Sequence, residues 1–188
     1  MSQFEFVMAM MSLIMALALA QGLRGLSEVL VSPNRYTPHS LWVIAYIVMI
    51  LLGWWSLWDF NVVTQWRLTT YLATLTLPAI LYTGIHLLVP AVRASDFDWR
   101  TQFLRVRRLF FGLGVAMVFV AVWVNVEYFG TPVLHPYRLS QAVYLAIFVV
   151  GFFTENEKVQ RILPIFFIVS FVASLLIVRI NIGALIAS

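Results

Sequence analysis

Cysteine is absent from this 188-residue chain. That excludes disulfides, thiolate metal sites and cysteine nucleophiles. Charge is scarce as well: 11% of the residues are charged, about half the share usual in a soluble domain. The single lysine, Lys158, lies between apolar blocks, so a Schiff base inside a span has no amine to form on. Three histidines are too few for a histidine-box di-iron site. No Gly-x-Ser-x-Gly elbow, His-Glu-x-x-His motif, phosphate loop or pair of aspartates within a span is present. Nothing here indicates an enzyme.

What the chain has instead is apolar length. Hydrophobic residues make up 62% of it, and its mean hydropathy is +0.93. One domain is the natural reading of the length. A chain this small cannot hide so much apolar surface from water, whereas in lipid the outside can be as apolar as the inside. Its net charge of +4 comes from arginines between the apolar blocks. An anionic lipid surface is therefore a simpler partner than nucleic acid.

About 20 apolar residues span the hydrocarbon as a helix. The blocks predict an all-α bundle of six transmembrane helices, at about 4–30, 39–60, 69–89, 109–128, 139–153 and 162–182. Thr37 and Pro38 read as the N-cap and first residue of the second span. Met8 to Ala20 imitates the apolar core of a signal peptide, with Ala18-Leu19-Ala20 as a cleavage site. Glu5, without any Lys or Arg, stands where such a peptide is positive, which favours a retained first span. Barrel strands are half as long as these blocks and alternate strictly.

Nine Lys and Arg residues fall in the odd-numbered connections and three on the other side. The positive-inside rule then puts both termini away from the cytoplasm, and a bacterial inner membrane is the expected setting. The tryptophans of Trp54-Trp55-Ser56-Leu57-Trp58 fall at the outer interface. Ser95 to Arg108 predicts a short amphipathic interfacial helix leading into the fourth span. Phe97, Phe103, Leu104 and Leu109 share one side of it. Arg100, Arg105, Arg107 and Arg108 are candidates for anionic lipid or partner docking, or simply a topology anchor.

Polar residues inside a span usually face the bundle interior or water. The third span has the most. Thr70, Thr74, Pro78, Tyr82 and His86 recur every fourth residue and would line a pore or cavity, unless the hydroxyls bond back to their own backbone. Gln21, Arg24 and Glu28 end the first span as a charged gate or as an interfacial ion pair. Asp59, Asn125 and Glu127, with Arg179 flanked by apolar residues, could concentrate cations or pair among themselves. His39 and His86 lie at similar depth on neighbouring spans and could ligate a haem iron from opposite sides. Ser170 with Ser174, and Ala16 with Ala20, are spaced for close helix contact within the chain or between copies.

Three functions follow as expectations. The first is an ion or small-solute channel or transporter acting as a homo-oligomer. The second is a non-catalytic membrane anchor, sensor or accessory subunit. The third is a haem-binding redox protein.

Overall fold

The structure is a computed structural model that describes residues 2–63, 66–91, 97–132, 134–135 and 138–186, with side chains left aside at 62 and 177–186. Among these residues the regular structure is helical throughout. The helices are α1 (Gln3–Val31), α2 (Thr37–Ser56), α3 (Leu68–Leu88), α4 (Trp99–Glu127), α5 (Arg138–Phe153) and α6 (Glu157–Ile186). A 3₁₀ segment, Leu57–Val62, continues α2.

Five of the six are long and apolar enough to cross a membrane, which suggests a membrane protein. α5 has 16 residues, or about 24 Å at 1.5 Å per residue, just short of the usual span.

The helices form a closed ring. α1 packs on α3, α3 on α4, α4 on α5, α5 on α6, α6 on α2 and α2 back on α1. α2 also touches α3 and α4, so it leans toward the centre, and Trp42, Val43, Ala45, Tyr46 and Ile50 are buried along it. The two halves of the chain pack differently: α3 returns to α1, but α6 packs on α5 and α2. An inverted repeat would pack both halves alike.

Local chemistry sets the helix ends. Ser2 and Glu5 form a reciprocal capping box at α1. Tyr36, rather than Thr37, is the N-cap of α2, with Pro38 at its second position. Asp98 caps α4 by accepting from the Arg100 and Thr101 backbone N–H groups. Ser95 itself lies outside the described residues. No break separates residues 99–108 from the fourth span. They are the first turns of one 29-residue helix.

Glycines set the α4–α5 seam. A Cβ on Gly114 would stand 2.5 Å from the Phe148 ring, and one on Gly151 would press still closer on Phe111. Each helix thus receives a ring from the other at a position with no side chain.

Candidate functional site

The bundle has a basic end, where α1, α3 and α5 finish and α2, α4 and α6 begin. Helix C-termini leave carbonyls without intrahelical partners, and here buried and half-buried side chains satisfy them. At the end of α3, Gln102 of α4 donates to Leu87 O at 3.0 Å. His39 of α2 puts Nε2 2.9 Å from Leu88 O, and Gln21 of α1 donates to Val89 O. Three helices thereby grip three consecutive carbonyls.

The end of α5 is held the same way. Arg107 of α4 donates to Gly151 O at 3.2 Å and Phe152 O at 3.0 Å, and also to Thr154 O. Its other nitrogen meets Glu155 Oε1 at 2.7 Å. Gln160 of α6 adds donations to Gly151 O and Thr154 O at 3.1 and 2.8 Å.

Toward the middle, aromatic rings fill the bundle. Trp42 is fully buried and meets the rings of Phe110, Phe111, Phe148 and Phe167 at centroid distances of 5.2–6.2 Å. This plug closes the half of the bundle nearer the basic end.

Beyond the plug lies a partly open cavity of about 180 Å³ to which every helix contributes. Met15, Gly53, Pro78, Ala121, Gln141 and Phe171 line it, one from each helix in turn. Its polar groups are already bonded inside the protein. Gln141 Oε1 accepts from Arg138 at 2.6 Å, Tyr144 OH bonds Ser174 Oγ, and Ser56 Oγ donates to Gly53 O at 2.7 Å. Most of what faces the space is hydrocarbon, aromatic edge and methionine (Met15, Met49 and Met117). Methionine adapts readily to the shape of a ligand.

The sequence-predicted residues are only partly brought together. Thr70 and Thr74 are buried, and Thr74 donates to the carbonyls of Thr70 and Tyr71. Its hydroxyl therefore serves its own helix. Pro78 does line the cavity. Tyr82 and His86 are exposed and stack on each other at 6.1 Å, so the stripe turns from the interior outward along α3.

His39 and His86 do not meet around a common ligand. His39 is fully buried, with its ring stacked on Trp99 at 4.9 Å and its Nε2 occupied at Leu88 O. Arg24 donates to Gln21 at 2.7 Å, which steadies the amide that grips α3, and Glu28 is half-buried beside them. At the opposite end Asp59 and Glu127 are exposed. Asn125 donates back to Ala121 O at 2.7 Å. Arg179 lies on α6, but its side chain is outside the described residues.

Arg107 departs most from expectation. Placed by sequence among surface arginines for lipid, it is 2% exposed. Arg100 pairs with Glu157 at 3.0 Å, and Arg105 and Arg108 remain exposed. Leu109, expected on one side with Phe97, Phe103 and Leu104, is also exposed. Ser170 and Ser174 serve a contact within the chain, through Tyr144, while Ala16 and Ala20 face outward.

No known family matches this chain, and neither the curated proteins nor the solved structures provide a relative.

Proposed function

We propose that this chain is a six-span membrane carrier for a small, uncharged, largely apolar solute held in the central cavity. The cavity carries the reading. All six helices converge on it, it is partly open, and the aromatic plug around Trp42 closes the half beyond it. A partly open site backed by a packed plug on one side suits alternating access. A ring-sized group is the natural occupant, since a cavity of roughly 150 Å³ accepts benzene. An ion path fits less well, because the lining offers no charged side chain and its hydroxyls are engaged.

In this reading α5 crosses the membrane as a short span, held at one end by Arg107 and Gln160. Both termini lie outside the cytoplasm, as the arginine distribution indicates. The test is binding of benzamide, an uncharged aromatic probe, to purified protein by equilibrium dialysis. Wild type should bind saturably, and Ala121→Leu, which fills the cavity, should lose binding while melting no lower. Unchanged binding by Ala121→Leu would remove the cavity from consideration.

A second reading, an accessory subunit docking a partner or anionic lipid at its basic end, is favoured by one observation. Arg105, Arg108 and Arg161 are all exposed there. It expects a stable partner in native membranes that is lost when these arginines become glutamine.

A further inference from the structure

At the end opposite the basic one, a groove of about 930 Å³ runs between the start of α1 and the end of α2 with its 3₁₀ continuation. That size lies within the range of sites that take whole organic ligands, and it is several times the central cavity. One part of the lining is apolar and follows the helices inward: Met8, Ala9 and Leu51. The outer part holds Trp54, Trp55 and Trp58, with Trp58 edge-on to Phe4 at 6.4 Å. Trp55 and Trp58 are 66% and 69% exposed, so a ligand can reach both side chains.

Among the described residues, the single charged one in this lining is Glu5. Its Oε2 accepts from the Ser2 N–H at 2.7 Å, which orients the carboxylate and leaves acceptor capacity on it. A carboxylate beside exposed indole faces recognises a cation, by ion pairing and by cation–π attraction. The apolar trough running inward from it fits an acyl chain.

We propose that this groove binds a phospholipid with a primary ammonium head, phosphatidylethanolamine in chemical class. The ammonium sits against Glu5 and the tryptophan faces, and one chain lies along Met8 and Leu51. An aromatic belt alone would anchor the protein at the interface without choosing a head group. Charge complementarity at Glu5 adds the choice. The site rests on the membrane setting of the bundle but not on the carrier reading, because the groove is separate from the central cavity.

Native mass spectrometry of the full chain, released from mixed micelles with competing lipids, tests it. Phosphatidylethanolamine should be retained over phosphatidylglycerol by roughly two- to five-fold, the size expected of an exposed ion pair. Phosphatidylcholine, which has no N–H to donate, should be retained less than phosphatidylethanolamine. Glu5→Gln should abolish the preference while keeping the helix cap, because glutamine also serves at that position of a capping box. Trp58→Leu should weaken it without touching the carboxylate. Equal retention of the ethanolamine and glycerol lipids by wild type would overturn the proposal. So would equal retention of the choline lipid, or a preference that survives both substitutions.

Discussion

Arg107 shows how one side chain organises an end of the bundle. A guanidinium buried at 2% exposure is tolerated because its two terminal nitrogens meet three carbonyls and a carboxylate. Arg107→Ala strips all of these at once and should cost about 3–5 kcal/mol in an unfolding titration in detergent. Glu155 is 70% exposed, and Glu155→Gln should cost no more than about 1 kcal/mol, because solvent screens that half of the pair. Equal costs would mean that the charge, rather than the carbonyl grip, does the holding. Tyr46 offers the opposite case. Its buried hydroxyl has no hydrogen-bond partner among the described residues, so Tyr46→Phe should leave stability unchanged or raise it by about 1 kcal/mol.

Asp98 carries a pH signature at this same scale. The Thr101 hydroxyl, then the Arg100 backbone N–H, holds its carboxyl below the ordinary value of 3.8. A carboxyl held low when folded contributes stability at neutral pH that is lost as pH falls through its folded value. Melting temperature should therefore drop more for wild type than for Asp98→Asn between roughly pH 6 and pH 3. Parallel curves would assign the acid loss elsewhere.

Among the elements, the helices were largely legible from apolar runs, and their neighbours were not. The expected second span at 39–60 corresponds to α2 with its 3₁₀ continuation. The fifth span matches α5 within a residue. The fourth begins ten residues earlier than its apolar run, since the polar start of α4 is held by contacts with other helices. Composition cannot show which face of a helix meets a neighbour. Still, Trp99, Phe103, Arg107 and Phe111 stand four apart, a row that puts the arginine in line with buried rings. The α4–α5 seam gives the matching test. Gly151→Ala pushes a methyl into Phe111 and should cost about 1–3 kcal/mol. Combined with Phe111→Leu, much of that cost should disappear. Additive losses would mean that the glycine matters for another reason.

On the scale of the whole molecule, the sequence showed an apolar bundle and hid its interior. Thr74 looked like pore lining because hydroxyls at four-residue spacing give that signal whether they face water or their own backbone. The cavity escaped notice because methionine, phenylalanine and alanine look the same at a ligand site as in a core. Among the described lining residues, Pro78 alone belongs to the four-residue stripe of α3. The absence of cysteine makes the proposed topology easy to check. Cysteine placed at Gly130 and at Asn156, in the connections flanking α5, should label from opposite sides of a sealed vesicle. Labelling from one side would mean that α5 does not cross.

Carrier activity itself is best tested by exchange. Vesicles containing the protein and loaded with unlabelled benzamide are mixed with radiolabelled benzamide outside, and uptake is followed against protein-free vesicles. Uptake should be faster with wild type, should saturate with concentration, and should fall to the protein-free rate with Ala121→Leu. Uptake no faster than in protein-free vesicles, from protein shown to be folded and to bind the probe, would contradict the carrier reading and leave a binding or accessory role.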